Sequence, residues 1–75
     1  MKNLSELHYG EQAVVDEILN CDNIKRRFLD IGIIKGTLIK CVGVSPCKDP
    51  KAYLIRGGVY AIRKEDAKNI LIKEF

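Results

Sequence analysis

The strongest pattern in the sequence is helical and lies in the first half of the chain. Apolar residues recur there at the i, i+4 and i+7 spacing that places Ile24, Phe28 and Ile31 on one face of a helix. Asp22 or Asn23 is expected to cap its start, because a short polar side chain accepts a hydrogen bond from a free backbone N–H. The spacing therefore predicts one short amphipathic helix.

Glycines mark the end of this helix and the turn that follows it. Gly32 is expected just past the last helical residue, because that position often needs a positive φ that only glycine adopts without cost. Lys35 and Gly36 predict the centre of a type II turn, since glycine suits the positive φ of its third position. The chain is then expected to enter a strand at Thr37.

The remaining apolar residues alternate with polar ones at the two-residue spacing of β-strands. Strands are predicted over residues 12–19, 37–44, 52–56, 59–63 and 70–75, with a helical turn over residues 64–69. Gly57-Gly58 is predicted as the centre of a hairpin turn, and Gly43 as a bulge or a close backbone approach. The order of elements indicates a mainly β fold. We expect a small antiparallel barrel of about five strands, with a short α-helix inserted between the first two.

Length and charge limit the classes of function to be considered. The 75 residues predict one small domain over residues 1–75, of the size that buries only ~60% of its unfolded surface. The formal net charge is +3 and acidic residues interleave with the basic ones, whereas nucleic-acid-binding domains more often carry a one-sided basic stripe. No apolar run approaches the ~20 residues of a membrane-spanning helix. We therefore expect membrane association only through a partner. The charge alone leaves nucleic acid possible but does not argue for it, and we expect no nucleic-acid partner.

The three cysteines, Cys21, Cys41 and Cys47, form an odd count without the paired spacing of a disulfide framework or a zinc site. The first residues also lack the apolar segment of a signal peptide, so we expect free thiols in a reducing cytoplasm. Cys41 is predicted to be a core residue on the strand face of Ile39. With His8 as the only histidine, we expect no metal site, no bound cofactor and no catalytic centre.

Several motifs follow one another almost from end to end of the chain. They are Leu4-x-x-Leu7-x-x-Gly10-Glu11, Arg26-Arg27-Phe28-Leu29-Asp30-Ile31-Gly32-Ile33 with Lys35-Gly36-Thr37, Pro46-x-x-Asp49-Pro50, Gly57 or Gly58, and Ala61-Ile62-Arg63-Lys64-Glu65-Asp66-Ala67-x-x-Ile70. Their order and spacing resemble the FeoA family, the small cytoplasmic proteins of bacterial ferrous iron uptake. Between the proline and Asp-Pro, that family usually carries an apolar residue and a glycine, where this chain has Cys47 and Lys48.

The resemblance implies an SH3-like barrel and a function in ferrous iron transport. It implies a non-enzymatic accessory protein that interacts with FeoB, a membrane transporter with a cytoplasmic GTP-binding domain. The protein would then be cytoplasmic and recruited to the inner face of the cell membrane through this partner. Binding of transition metal ions is expected only from the family association. The chain has no G-x-x-x-x-G-K-[ST] phosphate loop of its own.

Two stretches are candidates for contact with a partner. In the helix and the turn after it, basic residues surround apolar ones that we expect to be exposed, which is the composition of an interface; the alternative is an ordinary solvated helix face. This group comprises Lys25, Arg26, Arg27, Ile33, Ile34 and Lys35.

The second candidate is the stiff, exposed loop from Pro46 to Pro50, which includes Asp49 and precedes Tyr53. A stiff loop loses little entropy on binding, although a rigid connector is an equally good interpretation. Tyr53 is expected to be either a surface anchor or a barrel side chain.

Two other functions stay open at this point. One is a regulatory or nucleic-acid-associated SH3-like domain, like the C-terminal domain of iron-dependent repressors, which the basic residues would serve. The other is a groove for proline-rich peptides, which needs an aromatic lining. It ranks last, because the chain has no tryptophan and only Tyr9, Tyr53 and Tyr60 beside two phenylalanines.

Overall fold

A computed structural model describes residues 2–74 as one six-stranded antiparallel sheet with two α-helices and a 3₁₀ helix. The elements are β1 (Lys2–Asn3), the 3₁₀ helix (Leu4–Glu6), β2 (Gln12–Ile18), α1 (Asp22–Ile31), β3 (Leu38–Val44), β4 (Lys51–Ile55), β5 (Gly58–Ile62), α2 (Lys64–Ala67) and β6 (Ile70–Glu74). The strand order is β1-β6-β2-β3-β4-β5. Strands β2 to β6 agree with the predicted strands to within one residue at each end, apart from Phe75, which lies outside the described residues.

The sheet curves until β4 approaches the segment that follows β1. The Lys51 ammonium donates to the carbonyl oxygens of Ser5 and Leu7 at 2.9 Å each, and the Tyr53 hydroxyl donates to the Leu4 carbonyl oxygen at 3.3 Å. These bonds join the β4–β5 end of the strand order to the N-terminal segment. The fold is therefore the small barrel predicted from the alternation, with α1 inserted between β2 and β3.

One core fills the inside of this barrel. At its centre, Ala13 on β2, Ile39 on β3 and Ile55 on β4 lie opposite one another across the sheet. All three side chains are buried, and Cys41 is buried on the same face of β3 as Ile39. The prediction that Cys41 belongs to the core is confirmed, because strand alternation places it two residues beyond Ile39 on the inner face.

Gly43 lies next to a bulge in β3, as predicted. The register between β3 and β4 shifts between Cys41 and Gly43. A Cβ atom on Gly43 would lie 3.3 Å from the Cβ atom of Ala52, so the two strands approach closely here. Glycine at this position lets β3 bend without loss of contact with β4.

Helix α1 buries the face predicted from its spacing but begins without the predicted cap. Phe28 is buried, and Ile24 and Ile31 pack partly buried against the core. The N-cap residue is Cys21, whose side chain makes no capping hydrogen bond, so the expected cap by Asp22 or Asn23 is wrong. Asp22 occupies the first helical position instead, where its negative charge still favours the positive end of the helix dipole.

The hairpin between β4 and β5 turns one residue earlier than predicted. Arg56 and Gly57 have φ values of 49° and 84°, and Ile55 pairs with Gly58. Two consecutive positive φ values at the centre of a two-residue hairpin are characteristic of a type I′ turn. Gly58 already belongs to β5, where a Cβ atom would lie 2.9 Å from the ring of Tyr60.

Candidate functional site

The C-terminal end of α1 is a hydrogen-bonded corner. Gly32 has φ 104°, as predicted, and its N–H donates to the Leu29 carbonyl oxygen at 3.0 Å. The N–H of Ile33 donates to the Phe28 carbonyl oxygen at 2.8 Å. This pair of bonds is a Schellman motif, in which the residue after the glycine commonly packs against the last turn of the helix.

Ile33 follows this rule and is fully buried, so the expectation that it is exposed is wrong. Its side chain belongs to the same core cluster as Phe28, whereas Ile34 is 43% exposed. The sequence contains the signal for this outcome, because an apolar residue directly after a helix-ending glycine is the one that packs on the helix. Ile33 supports the corner from inside and is not part of the candidate surface.

Two further residues fix the corner, and the sequence does not predict this role for either of them. Thr37 is buried; its hydroxyl donates to the Gly32 carbonyl oxygen at 3.1 Å and accepts from the N–H of Ile34 at 3.0 Å. The Nε of Arg56 donates to the same Gly32 carbonyl oxygen at 3.0 Å. A guanidinium at this end of a helix complements the negative end of the helix dipole. Arg56 therefore brings the β4–β5 hairpin to the end of α1.

The exposed side chains around this corner form what we call the helix–turn surface: Arg26, Arg27, Leu29, Ile34, Lys35 and Arg56. Leu29 is 50% exposed, and Arg26 lies one helical turn before it on the outer side of α1. The adjacent Asp30 reduces the net positive charge but leaves the cations in excess. Exposed apolar side chains with a charged rim are typical of protein interfaces.

The second candidate stretch, Pro46 to Pro50, is exposed along its length, as predicted. Its Asp49 carboxylate Oδ1 accepts from the N–H of Lys64 at 2.8 Å. Lys64 is the first residue of α2, and the N-cap residue Arg63 makes no side-chain capping bond. Asp49 thus supplies the missing cap of α2 from a distant loop, which gives it a structural role in addition to any contact with a partner.

Tyr53 is a barrel side chain, so it cannot act as a surface anchor. It is 1% exposed, and its hydroxyl bonds to the Leu4 carbonyl oxygen. Its position two residues before Ile55 on β4 places it on the inner face. Burial raises the pKa of its phenol far above the usual range, with smaller contributions from the charges of Cys41 and Asp49.

We expect the raised pKa of Tyr53 to make the fold less stable in alkaline solution. The folded chain holds the phenol proton more tightly than the unfolded chain. Stability is therefore full below the unfolded pKa of about 10 and falls as the pH rises above it, by up to ~1.4 kcal/mol per pH unit. Urea denaturation at about pH 9 and about pH 11 measures this slope. Tyr53→Phe should flatten it, and an unchanged slope in that variant would contradict the assignment.

The described residues contain no cluster suited to a metal ion and no helix suited to a membrane. Within residues 2–74, no three His, Cys, Asp or Glu side chains lie together as potential ligands. Cys21 and Cys47 are exposed free thiols and Cys41 is a buried one. Over the same range, no helix combines the length and apolar character needed to span a bilayer.

Comparison with known proteins identifies relatives in iron transport. The FeoA domain model matches residues 2–74. A curated relative, the Fe(2+) transport protein A/Fe(2+) transporter FeoB fusion protein of Porphyromonas gingivalis (strain ATCC BAA-308 / W83), is 36% identical over 70 residues. That match covers 93% of this chain but only 8% of the fusion protein.

Solved structures of relatives share the fold. FeoA of Stenotrophomonas maltophilia, described as an SH3 domain protein complexed with zinc, has a TM-score of 0.86 at 27% identity, over 97% of this chain and 91% of that one. A manganese-dependent transcriptional repressor has a TM-score of 0.88 at 18% identity, over 99% of this chain and 36% of that one, which shows a common fold alone. The SH3-like barrel is confirmed, and the chain belongs to the FeoA family of ferrous iron transport.

Proposed function

We propose that this protein is a non-enzymatic accessory factor of ferrous iron transport that binds the cytoplasmic part of FeoB. The observation that carries the proposal is the relative in which transport protein A and FeoB form one polypeptide. A fusion keeps two modules at high effective concentration, which favours modules that contact each other. Since this chain matches only 8% of that relative, contact with the rest of it is the step that needs a test.

In this proposal the protein is cytoplasmic and reaches the inner face of the membrane through FeoB. Its part in transport is to present a shaped surface and not to catalyse a reaction. The helix–turn surface supports this, because it combines exposed Leu29 and Ile34 with a rim of cations. The bonds that Thr37 and Arg56 make to the Gly32 carbonyl oxygen hold that surface in one shape. A preformed surface loses little entropy on binding.

We expect the Arg26→Glu/Arg27→Glu double variant to bind the cytoplasmic domain of FeoB about tenfold more weakly, because each rim charge contributes up to about 1 kcal/mol. Both arginines are exposed on α1, so the fold should be unchanged. The affinity is measured by isothermal titration calorimetry with the purified domain. If the unaltered protein shows no binding at all, the proposed function is wrong.

A matched control separates a local effect from one of net charge. The Lys2→Glu/Lys73→Glu variant makes the same charge change on β1 and β6, at exposed positions away from α1. It should bind FeoB with nearly unchanged affinity. If both double variants weaken binding equally, or if neither does, the helix–turn surface is not the contact.

The alternative of a regulatory, nucleic-acid-associated domain rests on the fold shared with the manganese-dependent repressor. At 18% identity that likeness shows a common fold alone. Duplex DNA binding through basic residues would weaken steeply as salt is added. The absence of an electrophoretic mobility shift at low salt would exclude this alternative.

A further inference from the structure

An open cleft separates the loop of residues 46–50 from the turn that precedes β2. Its volume is about 500 Å³. Its lining includes the buried Tyr53 and Ile62, together with Tyr9 and Val44, which are 71% and 42% exposed. This cleft shares no residue with the helix–turn surface, so it needs its own explanation.

The charged side chains in the cleft are mostly cationic: Lys48, Lys51, Lys64 and Asp49. The Asp49 carboxylate already accepts the N–H of Lys64. The Lys51 ammonium donates two hydrogen bonds, to the carbonyl oxygens of Ser5 and Leu7, and an ammonium has three donors. Lys51 therefore holds a positive charge in a fixed place, and its bonds to the described residues use two of its three donors.

Lys48 carries an unusual backbone conformation at the rim of this cleft. Its φ is 65°, in the left-handed region that residues other than glycine seldom adopt. The N–H of Lys48 donates to the Ser45 carbonyl oxygen at 2.8 Å, which fixes the loop in this shape. The turn therefore holds Lys48 at the rim of the cleft.

We propose that this cleft binds an acidic segment of a protein partner. Carboxylates of the segment would meet Lys48, Lys51 and Lys64, and an apolar side chain would pack against Tyr9 and Val44. The excess of cations favours an anionic occupant by charge complementarity. The volume of about 500 Å³ lies in the range of about 300–1,000 Å³ that holds organic ligands. A small inorganic anion would leave the apolar side chains of Tyr9 and Val44 uncovered. The site is a second one, independent of the contact proposed for FeoB.

The test uses two fluorescein-labelled peptides and fluorescence anisotropy with the full chain. One peptide has a leucine flanked by aspartates, and the matched one has asparagines in their place. We expect the acidic peptide to bind and the asparagine peptide to bind at least about tenfold more weakly. The Lys48→Glu/Lys64→Glu variant should bind the acidic peptide with an affinity reduced by a similar factor. Lys2→Glu/Lys73→Glu, with the same change in net charge, should weaken it less than about twofold.

Amide chemical shifts locate the bound peptide and show that each variant is folded. Shifts confined to the neighbourhood of Tyr9, Lys48 and Ile62 are expected. No binding of the acidic peptide, equal weakening in both double variants, or shifts on the helix–turn surface would overturn the proposal. Displacement by an equal concentration of inorganic phosphate would show a plain anion site. A dimer that Lys48→Glu/Lys64→Glu dissociates would assign the cleft to a second copy of the chain.

Discussion

Replacing Ile39 with alanine is expected to lower the free energy of unfolding by about 2–5 kcal/mol. The side chain is fully buried at the centre of the barrel, between Ala13 on β2 and Ile55 on β4. Ala13 has no long side chain that can turn into the vacated space, so much of the cavity should persist. A domain of 75 residues has a total stability of only roughly 4–11 kcal/mol, and this single change removes a large part of it.

Urea denaturation followed by circular dichroism measures the loss. Ile39→Val, which keeps most of the volume, should cost about 0.5–1.5 kcal/mol. Val59→Ala, at a side chain that is 62% exposed, should stay within about 0.5 kcal/mol of the unaltered protein. A loss for Ile39→Ala as small as that of Val59→Ala would show that the barrel centre can repack around the deletion.

Replacing Gly32 with alanine should cost about 2–3 kcal/mol, for two separate reasons. The φ of 104° is in the left-handed region, which costs an alanine about 1–2 kcal/mol. A Cβ atom there would also lie 2.5 Å from Cδ and 2.9 Å from Nε of Arg56. The guanidinium must therefore move away, and its hydrogen bond to the Gly32 carbonyl oxygen is lost.

Gly36→Ala separates these two contributions. Gly36 has φ 92°, but no atom lies within 4 Å of a Cβ atom placed there. Its replacement should cost only the backbone term, so the two alanine variants are expected to differ by about 1 kcal/mol, the typical value of one hydrogen bond. In an Arg56→Ala background that difference should vanish. If Gly32→Ala and Gly36→Ala lower the free energy of unfolding equally in the otherwise unaltered protein, the displacement of Arg56 has no effect on stability.

The features that the sequence predicts well are local ones. The i, i+4, i+7 spacing identifies the buried side of α1, and Gly32 ends the helix where its backbone needs positive φ. Alternation alone places Ile39 and Cys41 in the core. Each of these depends on residues within a few positions of one another, where backbone geometry is the main constraint.

Some of the features that it misses depend on the register between strands or on contacts between distant residues. The register of the β4–β5 hairpin is one example. A turn at residues 56–57 and a turn at residues 57–58 both place Tyr60 and Ile62 on the same face of the sheet as Tyr53. The alternation of apolar and polar residues therefore cannot distinguish the two registers. The bond from Arg56 to Gly32 spans 24 residues and has no periodic signal. A tyrosine is suited to a surface as well as to a core, so the residue type does not show whether Tyr53 is buried. Closure of the barrel buries it.

The bond between Arg56 and the Gly32 carbonyl oxygen also bears on how inhibitors of the proposed interaction should be designed. Helix, turn and hairpin all contribute to the helix–turn surface proposed for recognition, although they come from opposite halves of the chain. A synthetic peptide that copies only residues 22–37 lacks the hairpin arginine and the buried support of the corner. It should compete poorly with the intact domain, so mimicry of this face needs a folded scaffold.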